Sequence, residues 1–392
     1  MASRCRDLLG AVPDSVVVKS SGSVIKNVKS VIVPNTGQLK GIEAAAAAGI
    51  VAGITEKKLE VINAATDEQR LAIREYIESC DIRIEHTETG HVFDICIEAA
   101  AGDHTAKVRI ADHHTNIVYE ELDGKVLKES LSDDAGDADV TDRSFLCVEG
   151  ITEFAESCDY TDIKDILDRQ IEYNMAIAEE GLRHSYGANI GSVLLNSGDK
   201  SIKQKAMAMA AAASDARMNG CEMPVIINSG SGNQGITCSV PVIVFARALG
   251  IPEDKMYRAL ILSNLLTIYQ KTGIGTLSAF CGAVCAGVSA AAAICFLQGG
   301  GRMEIDHTLV NGLGIVSGIV CDGAKASCAA KIAFSINAGI VGSEMYSCGQ
   351  EFRSGDGIVG CSVDQTISNV GRLGKNGMKE TNEEILKIMV GQ

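Results

Sequence analysis

Residues 129–143 read ESLSDDAGDADVTDR, an acidic run of small side chains with no apolar period. Such a stretch buries little surface and is expected to be an exposed linker or long loop. The sequence changes character across it. Before it, β-branched alternating runs at 16–18, 30–33, 82–85, 92–97, 106–110 and 116–121 read as strands. Pro34-Asn35-Thr36-Gly37 would stop the second of these, and Asp123-Gly124 has the chemistry of a hairpin turn. Helices are expected over 39–52, which holds five consecutive Ala, and over 68–79, with Thr66 or Asp67 as its cap. After the acidic run, strand signals nearly vanish. Helical periodicity takes over at 161–179, 201–218, 240–249, 254–270, 277–297 and onwards to 388. The expected fold is an α+β N-terminal domain (1–145), with the runs between 81 and 127 in an antiparallel sheet, followed by a larger all-α domain (146–392).

Composition narrows the function classes. Hydrophobic residues make up 46% of the 392, but aromatics only 4%, and there is no Trp. The core therefore rests on Ala, Val, Ile and Gly, which favours close backbone packing. A formal net charge of −15 argues against nucleic acid and anionic membranes as partners. Residues 273–301 and 225–246 carry no charge. The first is mostly Ala, Gly, Ser, Cys and Thr, and the second holds Asn228, Asn233 and Gln234. Both read as buried central helices rather than membrane spans. The N-terminus shows no secretory pattern, so a reducing cytoplasmic setting is the default. There, 14 Cys are not a disulfide framework; most are expected in the core, with a few available as metal ligands.

The most unusual stretch is Ser229-Gly230-Ser231-Gly232-Asn233-Gln234-Gly235. Its glycines free the backbone for close approach to a ligand, and its N–H groups with polar side chains suit a carboxylate or phosphate. It lacks P-loop spacing and the P-loop Lys. The alternative is a polar turn between two helices. Cys281 and Cys285 stand one helical turn apart on one face. Cys321 and Cys328 are too far apart for a zinc knuckle. Each of these is by itself more readily a core residue, although soft thiolates also select iron–sulfur clusters and zinc. His113-His114-Thr115-Asn116, between two strands, reads as a solvated turn in preference to a site that orients a carboxylate. Lys26-Asn27 follows a Ser-Ser-Gly-Ser turn, where a Lys is usually at the surface.

Taken together, these segments resemble one family. Ala212-Ala213-Ser214-Asp215-Ala216-Arg217-Met218 and the run from Asn228 to Thr237 are similar to the signature of the bacterial and archaeal L-cysteine desulfidases, relatives of the iron–sulfur L-serine dehydratase α subunit. Leu277-Ser278-Ala279-Phe280-Cys281 and the run from Ser317 to Cys328 continue the likeness in order. Lys26-Asn27, Val33-Pro34-Asn35-Thr36-Gly37 and His114-Thr115-Asn116-Ile117-Val118 extend it towards the N-terminus.

The resemblance implies a 4Fe–4S cluster on Cys281, Cys321 and Cys328, no pyridoxal phosphate, and Cys285 in the core. It implies β-elimination of L-cysteine to pyruvate, ammonia and hydrogen sulfide, or of L-serine to pyruvate and ammonia. The substrate is expected at Lys26, Asn27, His114, Thr115, Asn116 and Ser229, Gly230, Ser231, Gly232, Asn233, Gln234, in one pocket with the cysteines. Lys26 would be the charge partner of its carboxylate. A small amino acid is then the partner, and a homo-oligomer is compatible. One departure stands out. Members usually begin with Gly-Cys-Thr-Glu-Pro, whose Cys is the proposed base or its close associate; this chain has no such run, Cys5 sits in a different context, and Met1 falls just inside the helix expected to follow that segment. The resemblance thus names no catalytic base here. It leaves two classes open: the lyase, or a non-catalytic cluster-holding protein that senses redox state or amino acids.

Overall fold

The alternating runs between residues 81 and 129 fall in one sheet whose central strands bury one face against an Ala-rich helical layer, while residues 125–129 are exposed throughout. The structure, a computed structural model, describes residues 1–62, 65–130, 141–275 and 277–390. Most of the acidic stretch expected to be a linker, residues 131–140, lies outside these. The chain divides into two compact units. One comprises Met1–Thr141, Asp322–Ala324 and Asn382–Gln392; the other comprises Asp142–Cys321 and Lys325–Thr381.

The first unit contains α1 (Ala2–Leu9), β1 (Ser15–Ser20), α2 (Gly22–Val28), α3 (Gly41–Ala52), α4 (Asp67–Ser79), β2 (Asp81–His86), β3 (Asp94–Ala101), β4 (His104–Ala111), β5 (Ile117–Leu122) and β6 (Lys125–Glu129). The sheet order is β2-β1-β3-β4-β5-β6. Its buried face presents Val16, Val18, Ile97, Ala99, Ala106 and Val108 to Ala46, Ala47, Ile50, Ile73 and Tyr76 of α3 and α4. Thr66 is the cap of α4: its hydroxyl accepts from Gln69 N–H at 3.2 Å while Gln69 Oε1 accepts from Thr66 N–H at 3.0 Å. Asp123-Gly124 turns β5 into β6, as its chemistry predicts.

Three expectations for this unit need correction. The sheet is not wholly antiparallel: β1 pairs β2 in parallel, because α2, α3 and α4 intervene as a crossover. Residues 30–33 make only a bridge, Ile32 to Lys40, since Pro34 and the following turn cut pairing short. Lys26 is not at the surface. It is buried at 1% exposure on α2, and its Nζ donates to Asn382 Oδ1 at 2.6 Å.

The second unit is helical: α5 (Val148–Ser157), α6 (Lys164–Arg183), α7 (Ile190–Leu195), α8 (Ile202–Met218), α9 (Gly232–Ala248), α10 (Glu253–Ile274), α11 (Gly282–Leu297), α12 (Arg302–Val316), α13 (Cys328–Ser347), α14 (Val363–Arg372) and α15 (Lys379–Val390), which ends in the first unit. Among the described residues after Arg143 there is no strand of the sheet, only isolated bridges. α11 lies at the centre, with Val284, Cys285, Ala286, Val288 and Ala290 fully buried. Its small side chains let α9, α10, α12 and α13 approach on all sides, which explains the long uncharged run without lipid. No helix among the described residues is long and apolar enough to cross a membrane. Two helix starts differ from expectation. α9 begins at Gly232, eight residues before Val240, because Ser231 caps it. α11 begins only at Gly282, and the residues just before it form a bridge instead.

Candidate functional site

Two extended segments lie side by side in the second unit. Cys281 N–H donates to the Ile319 carbonyl at 3.1 Å, and Cys321 N–H donates to the Ala279 carbonyl at 2.6 Å. These two bonds flank the Phe280–Val320 bridge. They bring the Cys281 and Cys321 side chains into a thiol–thiol hydrogen bond. Cys328, the first residue of α13, lies within electrostatic reach of both. Cys281 is the N-cap of α11, so two of the three thiols stand at helix N-termini, where the backbone dipole favours a thiolate.

The thiols nevertheless resist ionisation as they stand. The hydrogen bond to Cys321 and then burial hold the Cys281 thiol well above its ordinary range. Burial also raises Cys328. Adjacent buried thiolates repel, so ionising the set requires a cation. Lys271, near the end of α10, is within electrostatic reach of Cys281, Cys285 and Cys321; burial lowers its ammonium pKa and these sulfurs oppose that. Arg217, on α8, is within reach of Cys328.

Residues 228–235 split between two environments. Asn228 N–H donates to the Ser231 carbonyl at 3.1 Å and Ser231 N–H to the Asn228 carbonyl at 3.0 Å. Between them Ser229 (φ 48°) and Gly230 (φ 77°) are both left-handed, the requirement of a tight primed turn. Asn228 and Ser229 line a mostly apolar cavity of about 280 Å³ with Phe154, Ile163 and Ile166. Ser229 Oγ is engaged with Asn228 Oδ1 at 2.8 Å. The thiol side belongs to the next residues. Ser231 Oγ accepts from Gln234 N–H at 3.4 Å and opens α9. Asn233 Oδ1 accepts from Arg217 Nη1 at 3.3 Å. Gln234 packs on Gly282, beside Cys281, closely enough that a Cβ there would lie 2.7 Å from its side chain. Its Oε1 is buried with no hydrogen-bond partner among the described residues. A polar atom left so costs free energy unless a ligand group meets it.

Other expected residues lie in the first unit and are described within it. Asn27 Nδ2 donates to the Ser23 carbonyl at 2.8 Å, and its own carbonyl accepts from Ala324 N–H at 3.3 Å. His114 and Thr115 are exposed in a turn. The His114 ring tilts against Phe93 at 4.6 Å, and Asn116 Nδ2 donates to the Ala111 carbonyl at 3.2 Å. Cys285 is fully buried in α11, its thiol pushed up to about 11 by burial.

Among the described residues no group of three or more His, Cys, Asp or Glu side chains is placed to hold a single metal ion. The fit to a cluster is one of chemistry: three soft donors held together, two at helix N-termini, with an orphaned polar atom alongside. Arg217 and Lys271 went unassigned in the sequence. Their signal was weak: α8 also carries Lys203 and Lys205, and α10 also carries Lys255 and Arg258, so neither cation stood out by residue type.

An α+β unit and a larger all-helical unit, with cysteine thiols gathered beside the start of α9, define the class. The chain belongs to the serine dehydratase alpha chain family, whose model matches residues 56–387. It is 54% identical over 391 residues to the UPF0597 protein of Desulfitobacterium hafniense (strain Y51), covering 100% of this chain and 91% of that protein. It is 48% identical over 389 residues to the UPF0597 protein of Lachnoclostridium phytofermentans, covering 99% and 93%. With the UPF0597 protein of Treponema denticola it shares 44% over 397 residues, covering 99% and 92%.

Proposed function

We propose that the chain is a pyridoxal-phosphate-independent lyase acting in the cytoplasm on L-cysteine or L-serine, with a 4Fe–4S cluster on Cys281, Cys321 and Cys328. The observation that carries this reading is the gathering of those three thiols beside the start of α9. Membership of the serine dehydratase alpha chain family supports it. When bound, a cluster with three protein thiolates supplies a Lewis-acidic iron for the departing thiol or hydroxyl.

The protein's own residues do the rest. The two backbone bonds between the Cys281 and Cys321 segments fix the spacing of their sulfurs. The first turn of α9, capped by Ser231, offers N–H groups to a carboxylate. Gln234 Oε1 offers an acceptor to an ammonium donor. Loss of the α-proton and of the β-substituent gives aminoacrylate, which takes up water to yield pyruvate and ammonia. Hydrogen sulfide leaves when the substrate is cysteine, and water leaves when it is serine.

The test is anaerobic reconstitution with iron and sulfide, followed by pyruvate measurement with each amino acid. Pyruvate from either, dependent on reconstitution, supports the reading. A fully reconstituted protein that makes none from both sinks it.

A further inference from the structure

Arg217 is placed unusually for a guanidinium. It rises from α8, a helix whose residues 206–216 are all buried. Its Nη1 donates to Asn233 Oδ1 at 3.3 Å and approaches Met218 Sδ at 3.9 Å. Gly232 leaves it room: a Cβ there would stand 2.3 Å from Arg217 Nε. Among the described residues no carboxylate forms an ion pair with it. Burial lowers its pKa, with Cys328 alone opposing. A guanidinium carries five N–H donors in a planar fork, so most of this fork is uncommitted to an anion. Desolvated cations are unfavourable until a counter-charge arrives.

From this we propose that Arg217 is the anchor for the α-carboxylate of the amino-acid substrate and makes that carboxylate a requirement for binding. The inference deepens the elimination reading, resting on it only in taking an α-amino acid as the ligand. A carboxylate suits the fork in two-point fashion, and Asn233 holds one arm of it in place. The start of α9 supplies further N–H donors on the same side. Gln234 Oε1, buried and unpartnered two residues beyond Gly232, suits the ligand's ammonium. The expected role of Lys26 as charge partner passes to Arg217. Asn233 is a positioning residue in this scheme, acting through the guanidinium.

The experiment is anaerobic calorimetric titration of the reconstituted full chain with L-alanine and L-alaninamide. L-Alanine has no β-leaving group and is not consumed; L-alaninamide replaces the carboxylate by a neutral amide. The wild type should bind L-alanine at least about tenfold more tightly than the amide. Arg217→Gln should weaken L-alanine about 10- to 100-fold, the usual worth of a hydrogen-bonded charge, and bind both ligands alike. Arg217→Lys should fall between, and it supplies the result if Arg217→Gln does not fold. Iron content should be unchanged in both variants.

The proposal is overturned if the wild type shows no preference for L-alanine. It is also overturned if the variants keep that preference, or if they lose iron while binding L-alanine normally. A wild type that binds L-alanine selectively yet yields no pyruvate from cysteine or serine overturns the elimination reading and leaves the Arg217 anchor standing.

Discussion

Cys321 donates its backbone N–H to the Ala279 carbonyl at 2.6 Å, two residues before Cys281. This bond holds residues far apart in sequence side by side, and it depends on no side chain. The spacing of the two sulfurs is therefore set by backbone pairing and survives changes of the sulfurs themselves.

Replacing Cys321 by Ser should then leave the fold intact. Cys321 is only partly buried, and Ser keeps the N–H that makes the bond. The melting curve of Cys321→Ser should match the wild type within about 1 kcal/mol, the usual range for a substitution that opens no large cavity. A loss several times that size would show that the thiol itself holds the two segments together.

Ser231 serves α9 as its cap as well as standing at the site. Ser231→Ala should lower stability by about 0.5–2 kcal/mol, the normal worth of an N-cap. It should raise the amino-acid concentration needed for turnover and leave the cluster's absorbance unchanged. Ser231→Thr, which keeps the hydroxyl, should recover the stability. Loss of the cluster with unaltered substrate affinity would make the turn purely structural.

Gly232 gives way to Arg217. In Gly232→Ala the new Cβ must push the guanidinium aside, because Nε lies 2.3 Å from its ideal position. The same Cβ would stand 2.8 Å from Val225 Cγ2, so stability should fall by about 1–3 kcal/mol, the usual cost of overpacking. L-Alanine binding should weaken, and adding Arg217→Gln should produce no further loss, as expected when both changes remove one contact. Additive losses would separate the two residues.

Asp215 tests a buried carboxyl on the same helix. It is 1% exposed, accepts from Gly191 N–H at 3.2 Å through Oδ2, and has an Oδ1 with no partner among the described residues. Burial raises its pKa from the ordinary 3.8 to about 6, against hydrogen bonds from Gly191 and Ile190. The folded state thus holds a proton that the unfolded state releases between those values. The group's favourable contribution is full below about pH 4 and is lost as pH rises through about 6. Urea titrations of the wild type and Asp215→Asn should diverge across that window. The wild type should lose on the order of 2 kcal/mol relative to the variant by pH 7. Parallel curves would contradict the shift.

Much of this was legible in the sequence because local chemistry and tertiary packing agree. The alternation at 106–110 and the Asp123-Gly124 turn gave β4 and the last hairpin, and the Ala run at 44–48 gave α3. The misses have physical causes. The Gly-rich run at 229–235 read as a loop ahead of a helix at 240, yet Ser231 caps a helix that already begins at Gly232. α1 and α2 are short and lack strong caps, so neither carries a start signal. Parallel pairing of β1 with β2 depends on a crossover that no local pattern encodes. At the site, the cysteines and the turn stood out by residue type. Arg217 did not, because it is one of three cations on an Ala-rich helix, with Lys203 and Lys205, and looks like part of a solvated face until packing shows where it points.

The central claim is that Cys281, Cys321 and Cys328, and not Cys285, hold the cluster. Cys285 is the sharpest control, since it lies four residues beyond Cys281, one turn into α11, and is fully buried. Iron and acid-labile sulfide should be measured after anaerobic reconstitution in the wild type and in each Cys→Ala variant. The account predicts about four irons per wild-type chain, the same content in Cys285→Ala, and loss of nearly all of it in Cys281→Ala, Cys321→Ala and Cys328→Ala. A wild type that takes up no iron, or a Cys285→Ala protein that loses it while any of the other three keeps it, would contradict the assignment.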